Sequence, residues 1–189
     1  MKTLTILMYT HRLALTCVSI FFFLWVFNAH VPFTGVTELE YTAGNLSGRI
    51  TRLHPLDRVR LALNQDGRTI AENLIEDPVY FEVKTAVDFR RAQVTFFYQN
   101  RSGSQIGIGI RRGSDYKSFD ITPLKSVGSQ GAWTIGEATL DLTGARRERN
   151  RYHFILSFPG VEYARPENGD ILISEFTATL QRDPLTISD

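Results

Sequence analysis

The stretch PVYFEVKTAVDFRRAQVTFFYQN, residues 78–100, decides the fold class of this 189-residue chain. Its first part alternates Val79, Phe81 and Val83 with more polar side chains, and its second part, residues 92–100, alternates in the same way. Alternation with a period of two is typical of β-strands that bury one face. The stretch therefore predicts two strands of a sheet that packs on a hydrophobic core.

Short runs of the same kind continue along the chain, separated by turn residues at the spacing of roughly eight to twelve residues that is typical of sandwiches and barrels. A turn at residues 65–67 predicts a β-hairpin. Gly107 and Gly109 alternate with isoleucines, which predicts that a neighbouring backbone or a large aromatic ring lies close over them. The further runs are VRLALN (59–64), IGIGIRR (106–112), TIGEATLDL (134–142), RYHFILSF (151–158) and DILISEFTATLQ (170–181). Residues 36–182 are therefore predicted to form one all-β domain, a single antiparallel sandwich of about eight to ten strands.

The terminal run, DILISEFTATLQ, is the longest of these predicted strands. Unbroken alternation along it places Leu172, Phe176, Ala178 and Leu180 on one face. The residues after it, 183–189, are polar and are predicted to form a flexible tail.

Composition narrows the classes of function. The chain has 21 Lys and Arg residues against 20 Asp and Glu residues, so bulk charge gives no reason to expect a nucleic-acid partner. The single cysteine, Cys17, lies in the apolar N-terminal run, so no intramolecular disulfide can form. The domain must therefore be stabilised by packing, and no cofactor is predicted.

The N-terminal run LALTCVSIFFFLWVF, residues 13–27, contains no charged residue. Such a run is typical of a membrane segment, and the length needed to cross a bilayer extends the prediction to residues 13–33. A cleaved signal peptide needs small residues before the cut, whereas cutting after Ala29 would put Phe27 at the third position before the cut. An uncleaved signal anchor is therefore predicted.

Charges on either side of this segment predict its orientation. Lys2 and Arg12 precede it, and the first charges after it are Glu38 and Glu40. Because positively charged flanks stay in the cytoplasm, residues 1–12 are predicted to be a short cytoplasmic N-terminus. The β-domain is then extracytoplasmic, on a single-pass protein of the cell membrane.

The pair PVYFEVKT and AQVTFFYQN, the later RYHFILSFPG and the terminal DILISEFTATLQ together resemble the galactose-binding-like jelly-roll β-sandwiches, which include many carbohydrate-binding modules. The resemblance implies a jelly-roll-like sandwich in which a long last strand lies beside the first. Many members of that fold bind sugars through loops or a concave face, and others are structural or protein-binding modules.

Sugar binding requires an exposed aromatic ring for the apolar face of a pyranose, with polar groups for its hydroxyls. The candidate aromatic residues near predicted loops are Trp133, Tyr116 and Tyr163, and the candidate polar residues in adjoining segments are Arg112, Asp115, Asn150 and Asn168. Two alternatives stay open. Trp133 could begin a strand and fill the core instead. The basic cluster Arg146, Arg147, Arg149 and Arg151 could meet an acidic polymer or lipid head groups, or be a solvated loop.

Metal and catalytic chemistry have weaker signals in the sequence. The four histidines are scattered without a spacing typical of transition-metal ligands, and neither a nucleophile elbow nor a phosphate loop is present. A calcium site is an open alternative, with Glu38, Glu40, Asp170 and Glu175 as its carboxylates. Glu162 and Glu167, with Asp170, could serve a glycosidase, although such charge density is more typical of a solvated surface.

The leading functional prediction is a membrane-anchored, non-enzymatic module that binds a glycan or another component of the cell envelope. The alternative is a structural or accessory subunit whose β-domain packs on partner proteins of a membrane complex. A glycoside hydrolase is a remote third possibility.

Overall fold

The computed structural model describes residues 2–30, 34–45, 47–113, 118–161 and 171–182, with side chains of the N-terminal helix described for residues 11–26. The chain divides into two compact units. One contains the helix, and the other, residues 36–183, contains the strands.

The N-terminal unit contains one helix, α1, over Lys2–His30. The apolar side chains described along it are exposed, as at Phe21 and Trp25. None of the helical residues that the structure describes forms a stretch long and apolar enough to span a membrane. The transmembrane segment predicted over residues 13–33, of which residues 31–33 lie outside the described residues, stays a prediction.

The second unit is a two-sheet antiparallel sandwich, which confirms the predicted all-β fold class. Its described residues form twelve strands, whereas the spacing of the alternating runs predicted about eight to ten. The strands are β1 (Val36–Thr42), β2 (Val59–Leu63), β3 (Thr69–Leu74), β4 (Val79–Lys84), β5 (Arg91–Asn100), β6 (Gly107–Arg111), β7 (Phe119–Pro123), β8 (Lys125–Gln130), β9 (Trp133–Asp141), β10 (Arg147–Glu148), β11 (Arg151–Ser157) and β12 (Ile171–Gln181).

Seven strands form one sheet in the order β2-β3-β12-β5-β9-β8, with β1 also pairing with β12. Five strands form the other in the order β10-β11-β6-β7, with β4 also pairing with β11. The predicted hairpin at residues 65–67 is confirmed, since β2 pairs with β3. The last strand lies beside the first over the whole of β1, as the resemblance implied.

A bulge in β12 overturns one prediction about which residues face the core. The pairing of β12 with β5 shifts between Ile173 and Glu175, so the alternation changes phase there. Ile171 and Ile173 therefore join Phe176 in the core cluster, and Leu172 does not. The prediction that Leu172 shares a face with Phe176 is wrong, because it assumed a strand without a bulge.

Packed aromatic rings join the two sheets at the centre of the core. Phe81 of the five-stranded sheet lies parallel to Phe154, with ring centroids 4.9 Å apart, and also contacts Phe176 of the seven-stranded sheet at 4.8 Å. Phe96 packs on Phe176 at 4.9 Å. All four side chains are fully buried. The alternation predicted for β4 is therefore confirmed, with Phe81 inward and its two neighbours outward.

Strand register defines two ends of the sandwich. At the Val36 end, Val36 lies opposite Gln181 and Lys84 lies opposite Arg151. At the Trp133 end, β9 begins at Trp133, close to where β12 begins and β5 ends. Loops and side chains at one end are thus separated from those at the other by the length of the strands.

Candidate functional site

Four of the seven predicted ligand-binding residues, Tyr116, Asp115, Tyr163 and Asn168, lie outside the described residues. The predicted catalytic carboxylates Glu162 and Glu167, and Asp170, also lie outside them. The location of each of these in a site stays a prediction.

Trp133 is the aromatic residue of the predicted set that the structure places. It begins β9 directly after a tight turn and lies opposite Gln130 of β8. Its side chain is half-buried and does not belong to the core cluster. Because Ala138 and Leu140 of the same strand are buried, the alternation puts Trp133 on the outer face of the seven-stranded sheet. It does not fill the core, which was the alternative that the sequence left open.

Arg112 lies far from Trp133. Its guanidinium donates to the carbonyl oxygens of Thr143 and Asp141, the latter at 2.8 Å, and lies 3.3 Å from Oδ2 of Asp120. Asp141 and Trp133 are the two ends of β9, which separates them by about 26 Å of extended chain. Arg112 thus holds neighbouring segments together at the Val36 end, and the two residues do not converge on one ligand.

Asn150 has a structural role at the same end. It follows Arg149 in the β10–β11 turn, and both have positive φ, 51° at Arg149 and 64° at Asn150. The Asn150 carbonyl accepts a 2.9 Å hydrogen bond from the Thr85 amide, and its Oδ1 accepts one of 2.8 Å from Arg147. Asparagine tolerates this left-handed backbone conformation better than most residues, which accounts for its presence.

The arginine cluster predicted near this turn is largely ion-paired. Arg146 lies 2.9 Å from Glu148, Arg147 pairs with Asp88, and Arg151 pairs with Glu82. The last two pairs join the β10–β11 hairpin to β4 and to the segment that follows it.

The described part of the chain contains no evident calcium site. Glu38, Glu40 and Glu175 are exposed on the outer face of the seven-stranded sheet. No group of three or more metal-ligating side chains occurs among the described residues, which do not include Asp170.

Sequence reasoning missed a row of aromatic rings on the outer face of the five-stranded sheet. Tyr80 of β4 lies at its centre, with ring centroids 6.0 Å from His54 and 5.9 Å from Phe119 of β7. All three side chains are half-buried. We refer to His54, Tyr80 and Phe119 as the aromatic row.

The floor beside the aromatic row explains how its rings meet. Strands β11 and β6 lie between Tyr80 and Phe119, and β6 contributes Gly107 and Gly109 to this face. A Cβ atom at Gly109 would lie 2.9 Å from side-chain atoms of Ile121 and Ile155, and one at Gly107 would lie 2.7 Å from Ile121. The predicted neighbouring backbone is confirmed at Gly109, where a Cβ would lie 2.9 Å from the carbonyl oxygen of Asp120, and the neighbouring side chains are aliphatic rather than aromatic.

Charged side chains border the aromatic row on the same face. Glu82 follows Tyr80 two residues along β4, and its Oε1 lies 3.3 Å from Nδ1 of His153 on β11. The other ring nitrogen of His153 lies 3.8 Å from Glu148, which also pairs with the buried Arg111 at 3.4 Å. Polar groups are therefore held in fixed positions next to apolar rings.

A cavity of about 280 Å³ continues this face toward the Val36 end. We call it the basic cleft. Its lining residues are Ser47, Gly48, Arg49, Ile50, Thr51, Arg52, Glu82, Lys84 and Arg151. Four of them are cationic and one is a carboxylate, so the cleft has an excess of three positive charges.

A second cavity, of about 600 Å³, lies at the Val36 end of the other sheet, where Arg90, Arg91 and Arg182 line it together with Asp141. A hydrogen bond from the Thr143 amide lowers the pKa of Asp141. This cavity has no aromatic lining residue, which sets it apart from the aromatic row and the basic cleft.

Two features of the sequence could have indicated the aromatic row. Tyr80 occupies an outward position in the strongest strand pattern of the chain, where a polar residue is usual. Phe119 precedes a run, DITP, whose proline and aspartate weaken any strand prediction. Their proximity depends on the strand order β4-β11-β6-β7, which local patterns do not contain.

No family model matches the chain, and no curated protein matches it. Solved structures similar to it include the C-terminal CBM6 of LamC, a marine laminarinase from Zobellia galactanivorans, at 12% identity over 76% of this chain and 99% of that one, with a TM-score of 0.44. They also include the CBM35 of Abf62 from Cellvibrio japonicus, at 14% identity over 78% and 99% with a TM-score of 0.47. A third is the CBM22-1 xylan-binding domain of Xyn10C from Paenibacillus barcinonensis, at 8% identity over 76% and 94% with a TM-score of 0.45.

These three are carbohydrate-binding modules, the class of jelly-roll protein that the sequence resembles. At identities of 8 to 14% and TM-scores below 0.5, they carry no argument about the ligand of this chain. The described residues of this chain must therefore supply any case for what it binds.

Proposed function

We propose that the β-sandwich is a non-catalytic module that binds a glycan on the outer face of its five-stranded sheet. The contact between Tyr80 and Phe119, with ring centroids 5.9 Å apart, carries this proposal. The two rings tilt by 43° and lie over a floor of glycine and isoleucine. One apolar surface is thereby available on a face that is otherwise polar.

Saccharide chemistry suits this surface. The C–H face of a pyranose packs on aromatic rings, while its hydroxyls require hydrogen-bonding groups at the rim. His54 at one end of the row, and Glu82 and His153 beside it, are placed to supply them. Because these polar groups already have partners within the protein, their orientation is set before a ligand arrives.

Calorimetry tests the proposal by measuring how the full-length protein in detergent binds each saccharide of a glycan panel. Tyr80→Ala and Phe119→Ala are expected to weaken binding at least tenfold, while circular dichroism and the melting temperature confirm that each variant folds. Trp133→Ala, an aromatic deletion on the opposite sheet, is the matched control and should leave affinity unchanged. Wild-type protein that binds no glycan on the panel, or loss of binding in Trp133→Ala alone, would overturn this assignment.

We also propose that residues 13–33 anchor the protein in the cell membrane, with the sandwich on the extracytoplasmic side. The uncharged run over residues 13–27 supports this location, as do the basic residues before it and the acidic residues after it. Protease added to intact cells should digest the sandwich, and the full-length protein should require detergent for extraction. A protected sandwich, or recovery from the aqueous fraction, contradicts the anchor.

A second candidate function is that of an accessory subunit that packs on partner proteins. The β2–β3 hairpin favours it, because Leu61, Leu63 and Ile70 are 44%, 56% and 47% exposed. Crosslinking in membranes should then capture a partner through a photoreactive residue at Leu63, and Leu61→Ser should abolish the crosslink. Crosslinking at Tyr80 instead would favour the aromatic row as the contact surface.

A further inference from the structure

We infer that the ligand of this face is an anionic saccharide whose carboxylate groups are held in the basic cleft. The inference rests on the proposed glycan-binding function and deepens it by naming the charge of the ligand. The juxtaposition of the aromatic row with the basic cleft on one sheet face is the observation behind it.

The aromatic row and the basic cleft form one continuous surface. Tyr80, Glu82 and Lys84 alternate with the buried side chains of β4, so all three point outward. Tyr80 and Lys84 are separated by about 13 Å of strand, which matches the reach of a short oligosaccharide. Lys84 lies opposite Arg151 of β11, so cations from two strands stand at the end of the surface remote from Tyr80.

The single carboxylate that lines the basic cleft leaves at least two of the cations there without an ion-pair partner in the described part of the chain. That carboxylate, Glu82, is already shared between Arg151 and His153. Lys84 and Arg52 form no ion pair with any residue whose placement is described, and Nε of Arg52 is buried without a hydrogen-bond partner there. Cations in a partly enclosed site attract an anion more strongly than they do in open water. The cleft is therefore suited to an anionic group.

Hydroxyl groups in the basic cleft can donate hydrogen bonds to an anionic group. Oγ of Ser47 accepts a 3.3 Å hydrogen bond from the Ile50 amide, and Oγ1 of Thr51 accepts one of 2.8 Å from the Glu82 amide. Each oxygen thus already accepts a hydrogen bond from the protein, and the O–H group of each side chain can donate. Donors are what a carboxylate requires, and the planar guanidinium of an arginine matches its two oxygens.

Charge on the other outer face points in the same direction. The seven-stranded sheet carries exposed or half-buried carboxylates on its outward positions, namely Glu38, Glu40, Glu137 and Glu175. These carboxylates would repel an acidic saccharide from their part of the seven-stranded sheet.

The test uses full-length protein in detergent and ligand pairs that differ only in charge. Oligogalacturonate and its methyl ester share one backbone, and the acid is expected to bind at least tenfold more tightly at low ionic strength. This preference should shrink as salt is added, because screening weakens ion pairs at a surface. Lys84→Met should reduce affinity for the acid severalfold and leave affinity for the ester unchanged. Lys125→Met, at an exposed lysine of β8, is the matched control and should change neither.

The outcomes separate this inference from the function on which it rests. Equal affinity for acid and ester, or an unaltered preference in Lys84→Met, overturns the anionic assignment while glycan binding stands. A preference for sulfated over desulfated oligosaccharides without one for uronates overturns the carboxylate assignment. If neither acid nor ester nor any other saccharide binds, the proposed function itself fails.

Discussion

Tyr41 donates a 2.7 Å hydrogen bond through its hydroxyl to Oε1 of Glu72, joining β1 to β3 in the interior of the sandwich. Both side chains are buried, and Oε2 of Glu72 has no hydrogen-bond partner in the described part of the chain. Burial raises the pKa of Glu72, because the charged carboxylate loses its hydration there. Burial and the hydrogen bond to Glu72 also raise the pKa of Tyr41.

Glu72 should make the sandwich less stable as pH rises. A carboxyl whose pKa is higher in the folded than in the unfolded state binds its proton more tightly when folded. The contribution of Glu72 to the free energy of unfolding is fully present below the pKa of the unfolded state, near 4.5. It falls as pH rises through the higher pKa of the folded state. Urea unfolding from pH 4 to pH 8 should therefore show Glu72→Gln gaining stability relative to the wild type as pH increases. A constant difference across this range would contradict the raised pKa.

Tyr41→Phe separates the hydrogen bond from the charge. The variant leaves Oε1 of a buried carboxyl without its donor, a loss of about 1–3 kcal/mol in the free energy of unfolding. Its pH dependence should be steeper than that of the wild type, because the Tyr41 hydroxyl partly offsets the effect of burial on the Glu72 pKa. In Tyr41→Phe combined with Glu72→Gln, this extra pH dependence should disappear.

Gly109→Ala should destabilise the floor beside the aromatic row by about 1–3 kcal/mol, since overpacking forces neighbours apart. The added Cβ would lie 2.9 Å from the carbonyl oxygen of Asp120, and backbone yields less easily than a side-chain tip. Gly48→Ala is the control, because nothing lies within 4 Å of a Cβ there. Thermal denaturation of both variants measures the difference, and equal melting temperatures would contradict the close packing.

The sequence predicts the fold through local alternation and misses what depends on contacts between distant segments. The inward side chains of β4 are correctly assigned because their period of two is unbroken, whereas Leu172 is misassigned because a bulge changes the phase of β12. A bulge leaves little local signal, since the residues on both sides of it are apolar. The contacts between distant segments depend on the order of the strands in each sheet.

The candidate site shows this limit most clearly. Trp133 and Arg112 belong to segments with loop-like composition, so the sequence predicts that both line one ligand site. In the structure Trp133 begins β9, whereas Arg112 contacts Asp141 at the other end of that strand. Tyr80 and Phe119 have no pattern in common, yet four strands in the order β4-β11-β6-β7 bring their rings together. Residue type predicts what chemistry a side chain can perform, and only topology determines which side chains share a surface.

Adjacent phenylalanines on β5 should respond very differently to truncation. Phe96 is fully buried against Phe176 and Phe81, so Phe96→Ala should lower the free energy of unfolding by about 3–5 kcal/mol through lost contacts and a cavity. Phe97 points outward and is half-buried, so Phe97→Ala should cost about 1 kcal/mol. Urea unfolding of both variants checks the prediction. A larger loss at Phe97 would show that the face assignment of β5 is inverted.

Arg112→Ala should lower stability and leave saccharide binding intact, although the sequence placed Arg112 in the ligand site. The guanidinium donates to two backbone carbonyls and lies 3.3 Å from Asp120, so its removal leaves the Thr143 and Asp141 carbonyls without this donor. Hydrogen bonds from a charged group suggest a loss of about 1–2 kcal/mol, since the side chain is partly exposed to water that can replace it. Lys125→Ala removes an exposed cation from β8 and is the control for charge, with no loss expected. If Arg112→Ala instead abolishes binding at unchanged melting temperature, the guanidinium contacts ligand, and the site extends to the Val36 end of the sandwich.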